Sequence, residues 1–381
     1  MVKLERNARR SVRGADRGIW IMAAVLAGLW AILAVLPATR GVFLTQGNLA
    51  TLLVQSAVLL VVSVGMTMVV LIRGIDLSVG AGVALTGTVA ALVQIKYGGS
   101  AELAIFAALA TGAVLGAWHG WWVSRGIPAF VVTLAGFKAY RGGALVLSHS
   151  TGLSPMNHDF SLLASTVPLA PTIAIVVTAL ASGIALTLRD ASRRRAFDLE
   201  PLPARVVGVR IGAQLLLAGL VLVVFAQRGM PVQVMIAGVV AVAGVFVTKR
   251  TRFGRHLYAI GGNPEAARLA GIDVTRTTIA AYMIVGVLTA IAGVMLAARI
   301  NGVTPGNQGN LLELDAVTAV VIGGTALAGG RGSVIGTVLG TLVFSTLANG
   351  MNHLHVDSNW QLIFTGLVLL VAVQISRGKR Q

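Results

Sequence analysis

Cysteine is absent from the 381 residues, so no disulfide, thiol nucleophile or cysteine-ligated metal is possible. Charged residues make up only 11% of the chain, and just 13 of them are acidic. No Gly-x-x-x-x-Gly-Lys-Ser/Thr phosphate loop occurs, so the chain is not expected to hydrolyse ATP. The six histidines show no metal-ligand spacing: His353 and His355 sit two apart with only Asp357 nearby. No catalytic set, metal site or cofactor site is therefore expected.

What is abundant is apolar surface. Hydrophobic residues make up 56% of the chain, and the mean hydropathy is +0.85. A single globular core cannot bury that much, and exposing it to water would aggregate the chain. Disorder is excluded because disordered chains are poor in Leu, Ile, Val and Phe. The expected fold class is an all-α polytopic membrane protein embedded in a lipid bilayer, with about 10–12 transmembrane or re-entrant helices. Twelve apolar runs fit: 19–36, 49–72, 75–94, 101–123, 129–148, 162–188, 211–227, 231–248, 278–298, 312–328, 333–350 and 359–376. The first is too long for a signal-peptide core, and eleven more follow, so it reads as an uncleaved span.

The net charge of +17 would also suit a nucleic-acid binder, so its location decides. Stretches 1–18, 188–210, 249–276 and 377–381 hold 21 of the 30 Lys and Arg. Those stretches lie between apolar runs, as the positive-inside rule expects of cytoplasmic loops. Alternation places both termini on the cytoplasmic side, and the loops left outside (37–48, 149–161, 301–311 and 351–358) contain only Arg40. Nucleic acid is not an expected partner. The organisation is a basic cytoplasmic N-terminus (1–18), one transmembrane domain (19–376) and a basic cytoplasmic tail (377–381).

The acids stand at the starts of apolar segments, among them Asp76, Glu102, Asp273, Glu313 and Asp315. Carboxylates suit the partly positive helix N-terminus, so Asp76, Ser78, Glu313 and Asp315 read as caps or gates near the membrane faces. Few acids are then left mid-membrane, which argues against ion-coupled transport. Lys138 and Arg141 break the pattern by lying near the middle of 129–148. Either that segment is irregular and lines an aqueous cavity, or the two cations snorkel to the outer surface. Glycine clusters around Gly80 and around Gly323 to Gly332 read as close helix approaches or breaks. Ser78-Val-Gly80 and Ser333-Val-Ile-Gly336 hint at two related halves, but the match is too short to establish a repeat.

The loop 249–277 contains a short helix signal. Asn263 is a good N-cap, Pro264 suits the first helical position, Glu265 complements the dipole, and Gly271 supplies a left-handed stop. Two turns cannot span a membrane, so this is either an interfacial helix or one that docks into a cytoplasmic partner. Here the residues reach a family. Phe253-Gly254-Arg255 with Tyr258-Ala-Ile-Gly261-Gly262-Asn263-Pro264-Glu265-Ala266-Ala267-Arg268-Leu-Ala-Gly271-Ile272 resembles the coupling loop of bacterial ABC sugar-importer permeases of the ribose, xylose, arabinose and galactose group. Arg73-Gly74-Ile75-Asp76-Leu77-Ser78-Val79-Gly80 and Glu313-Leu314-Asp315-Ala316-Val317-Thr318, with Gly329-Gly330-Arg331-Gly332, are similar to the same family. The xylose-type or multiple-sugar permeases are nearest, because 189–227 looks like material that ribose-type permeases lack.

That resemblance implies a pore subunit of the bacterial inner membrane, not itself an enzyme. Its implied partners are a cytoplasmic ABC ATPase, a periplasmic sugar-binding protein and a second permease copy forming a homodimer. Gly262, Asn263, Pro264, Glu265, Ala266, Ala267, Arg268 and Gly271 would couple to the ATPase. A monosaccharide, xylose or a related aldose, is the implied substrate. Neutral polyols call for neutral polar linings, and Gln55, Ser56, Ser63 and Thr67 fall close to one face of the second segment. The alternative is a single-chain secondary carrier of the major facilitator type. Twelve spans with both ends inside fit that class too, although its usual basic loop after the second span is replaced here by Arg73-Gly74-Ile75-Asp76.

Overall fold

The computed structural model describes residues 2–196 and 203–378, with side chains from 18 to 194 and from 203 to 374. Part of the 189–227 stretch (197–202) and the last residues of the basic tail (379–381) lie outside the described residues. The chain opens with α1 (Val2–Val35), α2 (Gln46–Leu71) and α3 (Val79–Ala91), the last continued by a π-helical turn at Leu92–Lys96. Next come α4 (Ala101–Ser124), α5 (Ala129–Leu147), the single turn α6 (His158–Ser161), β1 (Thr166–Val167) and α7 (Leu169–Ala196). The second half contains α8 (Ala204–Phe225), β2 (Met230–Pro231), α9 (Val232–Arg250), α10 (Arg252–Gly262) and α11 (Pro264–Leu269). It closes with α12 (Val274–Arg299), α13 (Leu312–Ile322), α14 (Val334–His353) and α15 (Ser358–Gly378). β1 and β2 form one antiparallel pair, Thr166 opposite Pro231 and Val167 opposite Met230.

Ten of these helices are long and apolar enough to cross a membrane, and the apolar part of α15 is shorter. The run 312–328, expected as a span, is not one. α13 has 11 residues, about 16 Å of helix against a hydrocarbon core of ~30 Å. Gly323, Gly324 and the left-handed Gly329 and Gly330 end it where a longer helix would run into α14. Cβ atoms at Gly323 and Gly336 would each meet the other's backbone.

α2 and α12 form the buried axis. α2 is apolar all round, as a mostly buried helix should be, and with α12, which leaves Met283 exposed, it carries most of the main core cluster, including Val61, Met66, Val69, Tyr282 and Val285. α4 lies along α12, and α14 lies along α2. α3 packs on α4, α5 and α12, while α13 packs on α14, α15 and α2. The two groups α2–α5 and α12–α15 thus repeat one arrangement, and because α2 and α12 run in opposite directions the repeat is inverted. Two related halves do exist, but the Ser-Gly match paired the wrong elements: Ser78 precedes α3, whereas Ser333 caps α14.

Each half contains one broken helix. After α2 the chain runs through Arg73 at φ 68 and Gly74, and α3 starts only at Val79. Its first turn faces Gly286, the middle of α12, across a small gap that Asp76, Ser78, Gly82 and Gly286 all line. Residues 300–311 return from the other end of α12, and α13 begins beside Gly80, where a Cβ would meet Glu313 and the Gly309 carbonyl. The N-termini of α3 and α13 therefore meet halfway along α12 and point in opposite directions.

α7 and α8 pack chiefly on each other. Gln214 Nε2 donates to Thr187 Oγ1 at 3.2 Å, and the Arg210–Asp190 ion pair spans 3.7 Å. The stretch 189–227 falls on this peripheral hairpin.

Candidate functional site

The loop between α9 and α12 contains two helices, not the single short one its glycines suggested. Thr251 opens α10 by accepting from Gly254 N at 3.1 Å. Leu257 and Ile260 bury the inner face of α10 while Arg252 is left exposed. α11 is built as its residues indicate. Asn263 Oδ1 accepts from the amides of Glu265 at 3.0 Å and Ala266 at 3.1 Å, and Pro264 occupies the first turn. Ala267 is buried, whereas Leu269 is 86% exposed. This leaves an isolated leucine exposed at the end of a short, well-capped helix, a feature that no motif singled out. Its signal was available: it is the one large apolar residue in α11.

Gly271 stands at φ +81, and nothing lies within 4 Å of where a Cβ would stand. Gly271→Val is therefore expected to cost about 1–3 kcal/mol locally through backbone strain alone. The measurement is thermal unfolding of the detergent-solubilised variant, which is expected to melt below wild type. An unchanged melting temperature would show that the left-handed turn after α11 carries no such strain.

The C-terminus of α10 is fixed to both broken helices. Arg73, which follows α2, donates from Nε to the Gly261 carbonyl at 2.8 Å and from Nη2 to the Gly262 carbonyl at 2.5 Å. Gly330 N, in the turn after α13, donates to the Leu71 carbonyl at 2.8 Å. Tyr258 OH donates to the Gly332 carbonyl at 3.0 Å, and burial pushes this phenol above its ordinary pKa, keeping it protonated as a donor. Gly261 sits where a Cβ would strike the Leu71 carbonyl and the Gly330 backbone. Hydrogen bonds thus tie α10 directly to the segment leading into α3 and to the segment leaving α13.

The acids expected near the membrane faces lie deeper. Asp76 and Glu313 are buried, and with Ser78 and Asp315 they cluster where α3 and α13 meet. They do stand at helix starts, as expected, but those helices start inside the fold. Asp76 Oδ1 accepts from Ser78 N at 2.8 Å and Ser78 Oγ at 2.6 Å, and Asp76 Oδ2 lies 3.7 Å from His119 Nδ1. His119 Nε2 pairs with Tyr140 OH at 2.8 Å. This chain ties α3 to α4 and α5. His119 and Tyr140 were not singled out in the sequence, because neither belongs to a recognisable spacing.

For Arg141 neither expectation holds. The helix is regular, and Arg141 turns inward, donating to the carbonyls of Pro305 and Gln308, both at 2.8 Å. It thereby fixes the segment that enters α13. Lys138 is exposed on the outward face of α5.

Of the four residues expected along the pathway, only Gln55 lines open space. It borders a cleft of ≈ 320 Å³ between α2, α12, α14 and the start of α13, and a second of ≈ 440 Å³ toward β2. Ser56, Ser63 and Thr67 are buried. Ser56 donates to its own helix at Leu53 O, 2.9 Å away, and Thr67 to Ser63 O at 2.8 Å while pairing with Thr337 at 2.6 Å. Ser63 Oγ has no hydrogen-bond partner, so of the three only Thr67 joins two helices, a common role of hydroxyls in membrane bundles.

Comparison with known proteins agrees with this architecture. A family described as the permease component of the branched-chain amino acid transport system matches residues 48–373. The xylose transport system permease protein XylH of Escherichia coli K12 is 40% identical over 338 residues, covering 88% of this chain and 86% of the relative. XylH of Haemophilus influenzae is 37% identical over 375 residues, covering 97% and 99%. The ribose import permease protein RbsC of E. coli K12 is 35% identical over 364 residues, covering 95% of each. No solved structure gives a significant match. Matched along nearly its whole membrane domain, the chain belongs to this family of transport-system permease components and is a multi-pass inner-membrane protein.

Proposed function

We propose that the chain is the pore-forming subunit of an ATP-driven importer that moves a monosaccharide, xylose or a related aldose, across the bacterial inner membrane. Identity to xylose permeases over most of both chains carries this reading. It favours sugars over the amino acids in the family's description and disfavours a single-chain carrier. The basic α10–α11 face is then cytoplasmic, and Leu269, Glu265 and Arg268 dock into an ABC ATPase subunit, while a periplasmic sugar-binding protein delivers substrate to the opposite face. Nucleotide-driven movement reaches α3 and α13 through the bonds of Arg73, Tyr258 and Gly330, since packed elements move as units.

A second copy of the chain completes the pore. Lys138 supports this, because it lies among the exposed Phe130, Leu134 and Val146 of α5. A cation facing lipid is costly, whereas a partner copy would enclose it beside a water-filled path.

The test is co-assembly and reconstitution. The chain is expected to purify with an ATPase and to import xylose into proteoliposomes only with ATP and a binding protein. Uptake by the purified chain alone, without ATP, would refute the assignment and favour a secondary carrier.

A further inference from the structure

The two broken helices start at the same depth but in different surroundings. The start of α3 is filled by Asp76 and Ser78, which lead into it, together with His119 of α4 and Tyr140 of α5. The start of α13 borders the ≈ 320 Å³ cleft, a size at the lower end of the ~300–1,000 Å³ usual for small-molecule sites.

Most hydroxyls inside the bundle are tied to their own helices. Thr86, Thr88, Thr248 and Thr318 donate to carbonyls four residues back at 2.7–2.8 Å. Ser63, Thr289, Thr325 and Thr341 are buried without a partner elsewhere in the bundle, but in the cleft four unpartnered polar groups share one open space. Asn307, Asn310, Asp315 and Ser345 line it, and none of their side chains has a hydrogen-bond partner among the described residues. Ser345 is only 8% exposed, so its hydroxyl is both unpartnered and held in place. Phe344 and Leu296 supply an apolar wall, and Arg299 stands at the rim, where α12 ends.

We infer that this cleft is a transit site for a neutral polyol, held by Asn307, Asn310, Asp315 and Ser345 against Phe344. Two amides, a carboxylate and a hydroxyl offer both donors and acceptors to sugar hydroxyls, while the apolar wall suits the C–H face of a sugar ring. An acyl chain would leave all four polar groups unsatisfied. An anion would meet the Asp315 carboxylate, and a cation would meet Arg299. The site rests on the permease reading and names residues that this reading leaves open.

The absence of native cysteine permits a direct test with Asn310→Cys in the full transporter, assembled with its ATPase and binding protein. A water-soluble methanethiosulfonate reagent is expected to modify Cys at this position, and xylose delivered by the binding protein to slow the modification. Asp315→Asn and Asp315→Leu, checked for normal membrane abundance, are expected to lose about tenfold or more in transport kcat/KM, the worth of one hydrogen bond to a charged group. Modification that xylose does not slow, but a detergent chain does, would make the cleft a lipid crevice and overturn the site. Wild-type kinetics in both Asp315 variants would overturn it while leaving the permease reading intact. If the unmodified complex moved no sugar, both would fall together.

Discussion

Arg73→Ala is expected to leave the transporter assembled and to cut sugar uptake by roughly tenfold to a hundredfold. Its guanidinium bridges the carbonyls of Gly261 and Gly262, at the end of α10, to the chain that leads into α3. Bonds from a charged donor contribute about 1.5–3 kcal/mol each, and each ~1.4 kcal/mol is a factor of ten. Removing the fork also leaves two carbonyls at a helix terminus without their donor. The loss should appear in coupling, not in binding: basal ATP hydrolysis should persist while its stimulation by sugar-loaded binding protein falls. Arg73→Lys should recover little, because one ammonium cannot reproduce the planar two-point geometry. Full stimulation in the alanine variant would mean that force reaches α3 by another route.

Gly116→Leu is expected to prevent accumulation of folded protein. Gly112, Gly116 and Gly120 recur every four residues along α4 and seat directly on the backbone of α12 at Gly286, Tyr282 and Ile279. A Cβ at position 116 would come within 2.9 Å of the Met283 Cα and closer still to the Tyr282 carbonyl. Lipid tails are as apolar as leucine, so close backbone packing is what holds such helices together. Overpacking this seam is expected to cost about 3 kcal/mol or more. Thermal unfolding of the detergent-solubilised protein measures it. Gly219→Leu in α8, where nothing lies within 4 Å, is the matched comparison and should leave the melting temperature close to that of wild type. Equal behaviour of the two variants would remove the seam's special role.

Helix α11 was legible almost residue by residue, because its information is local. An Asn cap, a proline at the first turn and a left-handed glycine act over two or three residues. Helix α10 beside it was not legible, since Gly254, Gly261 and Gly262 look like breakers in a string of letters. Gly254 and Gly261 are there because another backbone lies against them. The same ambiguity hid which polar residue of α2 borders open space. Ser56, Ser63 and Thr67 share a polar character and a helical spacing with Gln55, yet only Gln55 reaches open space.

What the sequence determined by itself was class and economy: a polytopic membrane protein, and a short, well-capped helix between two of its long apolar segments. Each of these follows from transfer energies or from contacts within a few residues, which composition and spacing record directly. Tertiary structure decided where the acids lie. Asp76, Glu313 and Asp315 begin helices in either picture, but depth depends on whether a helix starts at the surface or halfway in. That in turn depends on Gly82 facing Thr289 and Gly80 facing Glu313 across the bundle, pairings separated by more than 200 residues. Tertiary structure likewise turned Arg141 from a cation stranded in an apolar segment into the donor that holds the entry to α13. A long side chain answers to the nearest unpaired carbonyl in space, and distance along the chain does not report which carbonyl that is.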